Sequence, residues 1–214
     1  MERVRLPLAT ASGLALEVVK LLRPSCERIE IAGSIRRGKP DVGDIEIVAI
    51  PKFEERERRL DMFTTVTEAE DWLHLTCFGL RLDGVFSDRL DKNGRPAFGS
   101  KFKRLLYRGF PLDLFVTTRE CWGCIYLIRT GPAEFGQQLV LKASQGGWLP
   151  RGFFFRDGRL WKLPPPYDAS LVDLAKRIDT PEEADVFRAL GYEFVPPEQR
   201  GTQRPCVVPQ VGTR

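Results

Sequence analysis

The chain has 214 residues, of which 43% are hydrophobic, and a formal net charge of +4. This length supports one compact domain with a smaller additional unit, and the mild charge permits a nucleic-acid partner without requiring one. No apolar run approaches the ~18 residues of a membrane span, and the N-terminus lacks the apolar core of a signal peptide, so we expect an intracellular protein. The single histidine, His74, disfavours His-based hydrolases and zinc enzymes.

In chain order, apolar spacing first predicts a helix and then two strands on either side of a glycine-bounded turn. Leu14, Val18 and Leu21 recur at helical spacing, and Pro24 ends the helix. Residues 28–31 alternate between charged and apolar, and residues 44–50 do the same at their start. The opening unit is therefore predicted to be a strand, a turn and a strand.

The turn has the sequence Gly33-Ser34-Ile35-Arg36-Arg37-Gly38. Backbone N–H groups in a short glycine-rich turn can bind phosphate oxygens, and arginine can bind a phosphate through two parallel hydrogen bonds. The turn is therefore a candidate phosphate-binding segment.

The strand after the turn begins with Asp44-Ile45-Glu46. Side chains two residues apart on a strand share a face, so the two carboxylates point the same way. They repel each other unless a cation lies between them, and Mg²⁺ prefers such oxygen ligands. Asp113, in the apolar strand predicted over 112–117, is the candidate third carboxylate. The alternative is that Asp113 pairs with an arginine of the same hairpin.

Between these segments, the charged stretch 53–60 is predicted to be a solvated connection. Thr67-Glu68-Ala69-Glu70 has the sequence of a capping box, so a helix is expected to begin there. Residues 80–87 are predicted as a strand. Residues 101–107 and 112–117 are predicted to form a hairpin.

The last part of the chain is predicted to hold helices over 121–129 and 134–144 and a hairpin around Asp157-Gly158. A further helix is expected with Thr180 as its N-cap and Gly191 at its end, followed by an irregular tail from Pro196. Cys121 and Cys124 form a C-x-x-C pair that would need two further ligands to bind zinc, and we expect reduced cysteines. The predicted domains are 1–120, 121–200 and a tail over 201–214.

The turn and the acidic strand together read G-S-I-R-R-G…G-D-I-E, which resembles the signature of the family X DNA polymerases, the DNA polymerase beta-like nucleotidyltransferases. The segments Leu112–Val116, Gly99–Phe102 and Thr130–Pro132 are similar to the family's third-carboxylate strand, DNA-gripping segment and nucleotide-side motif. The resemblance implies an α+β nucleotidyltransferase palm with a mixed sheet and helices, plus a small C-terminal α/β subdomain.

The resemblance also implies roles for individual residues. Asp44, Glu46 and Asp113 would be the catalytic ligands of two Mg²⁺ ions, which Mn²⁺ can replace. The triphosphate would be bound by Arg5, Gly33, Ser34, Arg37 and Gly43, whereas Arg36 would be structural. The nucleotide sugar and base would lie beside Arg129, Thr130 and Gly131. Lys101 and Lys103 would bind DNA.

The leading hypothesis is therefore a metal-dependent, monomeric enzyme that adds nucleotides from nucleoside triphosphates to the 3′-hydroxyl of a DNA primer and releases pyrophosphate. It would act as a small gap-filling repair polymerase. Two alternatives stay open. One is a template-independent or small-substrate nucleotidyltransferase, and the other is a catalytically silent nucleic-acid-binding subunit.

Overall fold

The computed structural model describes residues 4–59 and 61–208. Leu60, at the end of the predicted charged connection, and residues 209–214 of the predicted tail lie outside the described residues. The helices and strands in chain order are β1 (Leu6–Pro7), α1 (Leu8–Leu22), β2 (Cys26–Ile31), α2 (Gly33–Arg36), β3 (Asp41–Val42), β4 (Ile45–Pro51), β5 (Phe53–Arg59), β6 (Thr65–Asp71), α3 (Trp72–Leu82), β7 (Phe86–Asp88), β8 (Phe102–Tyr107), β9 (Phe110–Val116), α4 (Trp122–Thr130), α5 (Ala133–Val140), β10 (Phe153–Arg156), β11 (Arg159–Lys162), β12 (Lys176–Ile178) and α6 (Glu183–Leu190).

The chain forms two compact units. Unit 1 contains the described residues up to Ile31 together with Pro40–Thr117, and unit 2 contains Ala32–Lys39 together with the described residues from Thr118 onward. The division after Thr117 lies near the boundary expected at residue 120. The assignment of Ala32–Lys39 to unit 2 has no counterpart in the expected division, because a short turn carries no sequence signal of the unit it packs with.

Unit 1 is built on a mixed sheet, which in the described residues has the strand order β2-β4-β9-β8-β7. Only β4 and β9 run parallel in this sheet as described, and the other neighbours are antiparallel. Helix α1 buries Ala11, Ala15, Val18 and Leu22, which lie on one face at helical spacing. The expected mixed α+β class is confirmed.

The hairpin of β8 and β9 turns at Arg108 and Gly109, both of which have positive φ, at 50° and 77°. Two central residues with positive φ match the twist of a tight hairpin. Register follows from this turn and places Arg104 directly opposite Asp113.

Three predictions for the middle of unit 1 were wrong. The charged stretch predicted as a connection over 53–60 contains strand β5, Phe53–Arg59. The helix does not begin at the Thr67–Glu70 sequence, because Thr65–Asp71 is strand β6, paired with β5 in an exposed charged hairpin. Helix α3 begins at Trp72 instead, and the Asp71 carboxylate caps it by accepting from the His74 N–H at 2.9 Å. The strand predicted over 80–87 is also displaced, since α3 continues to Leu82 and β7 covers only Phe86–Asp88.

Unit 2 packs α4, α5 and α6 against the three-stranded sheet β10-β11-β12 of the described residues. The hairpin around Asp157-Gly158 is confirmed, with both residues at positive φ. Gly191 ends α6 in the left-handed conformation, as predicted. The expected N-cap, Thr180, was wrong, because Glu182 and Asp185 form the capping box of α6.

Candidate active site

The acidic residues of the predicted catalytic trio all belong to unit 1. Asp44 immediately precedes β4, Glu46 is the second residue of β4, and Asp113 lies in β9. Because β4 and β9 are parallel neighbours, Glu46 is directly opposite Asp113 in the register, and adjacent strands are only ~4.8 Å apart. The fully buried Ile45 and Leu112 alternate with them and face the core. Tertiary pairing thus brings distant carboxylates onto neighbouring positions of one sheet face.

The groups around Asp113 shift the pKa of its carboxyl in opposite directions. Asp113 is only 7% exposed, and burial raises the pKa of its carboxyl above the ordinary value, with the Asp44 charge adding to the rise. Arg89 and Arg104 act in the opposite direction on this pKa, and their nitrogens lie 3.5 and 3.4 Å from Asp113 Oδ1. The arginine pairing considered as an alternative from sequence is therefore present, together with the proximity of a second carboxylate.

Carboxylate oxygens on adjacent strands are the donor type that a hard divalent cation prefers. The repulsion between Asp44 and Asp113 is also the kind of charge crowding that a cation relieves. In donor chemistry the trio fits Mg²⁺. As the side chains stand, however, no group of three or more His, Cys, Asp or Glu residues in the described parts of the chain has the geometry to hold a metal ion.

Arg5 lies beside the start of this strand. The short ribbon of β1 and β3 pairs Leu6 with Val42, and Arg5 Nη1 donates to the Asp41 carbonyl at 3.3 Å. Extending the register by one residue puts Arg5 across from Gly43, next to Asp44. Arg5 is predicted to bind the triphosphate, and its exposed guanidinium lies near the start of the acidic strand β4 in unit 1.

The glycine-bounded turn belongs to unit 2 and forms the single helical turn α2. Gly33 starts it with a φ of 61°, and the buried Ser34 Oγ has no hydrogen-bond partner among the described residues. Arg37 Nη1 donates to the Thr130 carbonyl at 2.5 Å. The structure thus brings together Arg37 and Thr130, both predicted to contact the nucleotide, but it uses Arg37 to hold the end of α4.

Arg36 belongs to a buried ionic network that sequence reasoning missed. Its guanidinium donates to Glu183 Oε2 at 2.6 Å and to Thr130 Oγ1 at 2.7 Å, and it lies 3.9 Å above the centre of the Tyr126 ring. Arg200 Nη1 donates to the other oxygen, Glu183 Oε1, at 2.8 Å. The structural role expected for Arg36 matches this geometry.

Glu183 is the centre of that network. Burial raises the pKa of its carboxyl, but the hydrogen bonds from Arg36 and Arg200 outweigh burial and hold this pKa below the ordinary value. A sequence signal was present, because Glu183 precedes Val186, Phe187 and Leu190 at i+3, i+4 and i+7 and so lies on the apolar face of α6.

The residues predicted beside the sugar and base differ in exposure. Arg129 is exposed, whereas Thr130 is fully buried. The hydroxyl of Thr130 accepts a hydrogen bond from Arg36, and its carbonyl accepts one from Arg37. Gly131 caps α4, and a Cβ there would lie 2.7 Å from Phe135 Cδ1. Thr130 and Gly131 therefore have packing roles within unit 2.

The two lysines predicted to bind DNA have opposite environments. Lys101 is exposed. Lys103 is fully buried, its ammonium donates to the Gly99 carbonyl at 3.0 Å, and burial lowers its pKa. The expectation for Lys103 must be corrected, because a buried ammonium is not presented to a DNA phosphate. Its spacing of two and four residues from the buried Leu105 and Tyr107, which places all three on one face of β8, was the available signal.

The cysteine pair and the histidine have structural surroundings. Cys121 Sγ donates to the Asp157 carbonyl at 3.5 Å, and the Cys124 and Thr180 side chains are 3.3 Å apart. Burial raises the pKa of Cys124 to about 11, which keeps it a thiol. His74 packs edge-on against Phe98 at 5.1 Å between ring centroids.

Comparison with known proteins gives no family assignment: no protein-family model matches the chain, and no curated protein matches it. In the described part of the chain, no helix is both long and apolar enough to cross a membrane. The functional argument therefore depends on the residues and their geometry.

Proposed function

We propose that the chain is a metal-dependent nucleotidyltransferase of the DNA polymerase beta type, which extends a DNA 3′-hydroxyl with nucleotides from nucleoside triphosphates. One observation carries the proposal: the parallel pairing of β4 and β9 sets Glu46 opposite Asp113. Burial raises the pKa of Asp113, and the nearby Asp44 charge adds to the rise. Asp113 is buried, whereas Asp44 and Glu46 are partly buried. A buried carboxylate beside other carboxylates is costly to a fold and is common where cations bind.

In this proposal Asp44, Glu46 and Asp113 supply the oxygen ligands, and Asp113, on the central strand, accepts the proton of the primer hydroxyl. Bound divalent ions would lower the pKa of that hydroxyl and neutralise the leaving pyrophosphate. Arg5, Gly43 and the turn residues Gly33, Ser34 and Arg37 are assigned to the triphosphate from the sequence resemblance. Arg37 would have to exchange its bond to the Thr130 carbonyl for a phosphate oxygen.

Primer extension tests the proposal. We expect the wild-type protein to extend a gapped DNA substrate with Mg²⁺ or Mn²⁺ and to stop when the ions are chelated. Asp113→Asn, which keeps the side-chain shape, should lower incorporation by about a hundredfold or more, since metal-ligand contributions are several kcal/mol. The matched control is Glu55→Gln, an exposed carboxylate of the β5–β6 hairpin, which should incorporate nucleotides like the wild type. Undiminished incorporation by Asp113→Asn would refute the site.

The burial of Lys103 favours a second candidate, transfer to a small acceptor or to an untemplated end. Without Lys103, the predicted DNA-gripping segment presents one fewer cation to a polyanionic strand. Comparing templated, single-stranded and small-molecule acceptors in the same assay separates the two candidates. Binding of DNA with no incorporation on any acceptor would instead support the catalytically silent alternative, in which Arg89 and Arg104 permanently neutralise Asp113.

A further inference from the structure

A cavity of about 500 Å³ lies within unit 2. The residues that line it include the aromatic Phe153, Phe154 and Tyr167, several aliphatic residues, and the cationic Lys142 and Arg151. Among the described residues that line the cavity there is no Asp or Glu. Cavities of this size commonly hold small organic ligands.

The aromatic wall is held in place by an unusual backbone. Tyr167 has a φ of 65°, in the left-handed region that bulky residues rarely occupy. Its ring lies directly against Gly152, so close that a Cβ built on Gly152 would be 2.5 Å from Tyr167 Cδ1. Gly152 itself has a φ of 88° and accepts the Leu163 N–H at 2.7 Å. Strained backbone of this kind is often found where a ligand is bound.

The charge of the cavity is uncompensated. Arg151 Nη2 donates to the Pro166 carbonyl at 3.1 Å, and its guanidinium lies 5.9 Å from the centre of the Tyr167 ring. Within the described residues, neither Arg151 nor Lys142 has a carboxylate partner at ion-pair distance. Two cations beside an apolar cleft can therefore bind an anionic group without breaking an ion pair.

We propose that this cavity binds a nucleotide unit, meaning an aromatic base with its attached phosphate. A base stacks favourably on aromatic side chains, whatever its sequence identity. Arg151 offers planar donors to the phosphate and Lys142 offers a second positive charge. A neutral apolar ligand would leave both cations unused, and a free phosphate would leave the aromatic walls uncovered. The site needs no metal ion, so it does not rest on the proposed reaction.

Titration of the full chain in the presence of a chelator tests this site without the metal-dependent chemistry. The probes are deoxyadenosine 5′-monophosphate, deoxyadenosine and inorganic phosphate, with binding measured by calorimetry and by NMR. We expect saturable binding of the monophosphate, about tenfold weaker binding of the nucleoside, since a charge-assisted hydrogen bond is lost, and no saturation by phosphate. An oligonucleotide with an unpaired terminal nucleotide then distinguishes a strand from a free nucleotide as the source.

Two variants and one control complete the test. Arg151→Gln should weaken monophosphate binding about tenfold, and Ser144→Trp, introduced at an exposed residue lining the cavity, should block it. Arg156→Gln changes an arginine of β10 that is 59% exposed and outside the cavity lining, so it should bind like the wild type. Equal affinity for nucleotide and nucleoside, an equal loss in Arg156→Gln, or undisturbed binding by Ser144→Trp would overturn the proposal. Primer extension could still succeed, so failure here is distinct from failure of the proposed function.

Discussion

Replacing Glu183 with glutamine tests whether the buried ionic network stabilises unit 2. The substitution removes the carboxylate that accepts from Arg36 at 2.6 Å and from Arg200 at 2.8 Å. The Arg200 side chain is 0% exposed, and a buried charge left without its partner costs about 3–5 kcal/mol. Arg36 is 23% exposed and keeps its bond to Thr130, so it regains some hydration. We therefore expect the free energy of unfolding to fall by about 3 kcal/mol, near the lower end of that range.

Urea unfolding followed by tryptophan fluorescence measures this loss. The chain has four tryptophans, and Trp122, Trp148 and Trp161 belong to unit 2, so the signal reports mainly on that unit. The matched control is Arg188→Gln, which breaks the exposed pair with Asp185 on the same helix and should cost at most about 1 kcal/mol.

Acid titration supplies a second readout for the same substitution. Because the pKa of Glu183 is lowered in the folded state, its contribution is present above the ordinary glutamate pKa and is lost as the pH falls through the folded-state value. The Glu183→Gln protein should lack this part of the acid dependence. A loss no larger than that of Arg188→Gln, with an unchanged acid profile, would refute the reasoning.

Two further substitutions test the close packing of Gly123 and the buried charge of Lys103. Gly123→Ala should destabilise unit 2 by about 1–3 kcal/mol, because its Cβ would lie 2.3 Å from the Thr180 carbonyl oxygen. The control Gly136→Ala, where the nearest atom is 3.8 Å away, should instead stabilise α5 by about 0.5–1 kcal/mol in the same unfolding assay. Lys103→Met should leave the stability of unit 1 within about 1 kcal/mol of wild type or raise it at neutral pH, since it removes a buried charge. As the pH rises towards the ordinary lysine pKa, the free energy of unfolding of the wild type should increase relative to that of Lys103→Met, because burial lowers the pKa of Lys103 in the folded state. Urea unfolding followed by circular dichroism, at neutral pH and near the ordinary lysine pKa, measures this difference. A variant clearly less stable than the wild type at neutral pH contradicts the prediction.

Part of the fold could be predicted because its signals are local. The alternation of Ile45, Glu46 and Ile47 identifies β4 and the face it buries, since side chains on a strand alternate between its two faces. Gly191 marks the end of α6, because glycine adopts the left-handed cap without steric cost. The charged β5–β6 hairpin was not recognised, since its strands depend on cross-strand pairs such as Arg56 with Glu70 at 3.1 Å, which residues adjacent in sequence do not reveal.

By itself, the sequence determined which segments could carry acidic, basic and glycine-rich chemistry, because residue type and spacing along one strand or turn are properties of neighbouring residues. Only the tertiary structure decided that Glu46 would lie opposite Asp113, that Arg89 and Arg104 would share that carboxylate, and that Lys103 would be buried. The physical reason is that burial, pKa and ion pairing depend on which distant strands and helices pack around a side chain, and that choice is made by the fold as a whole.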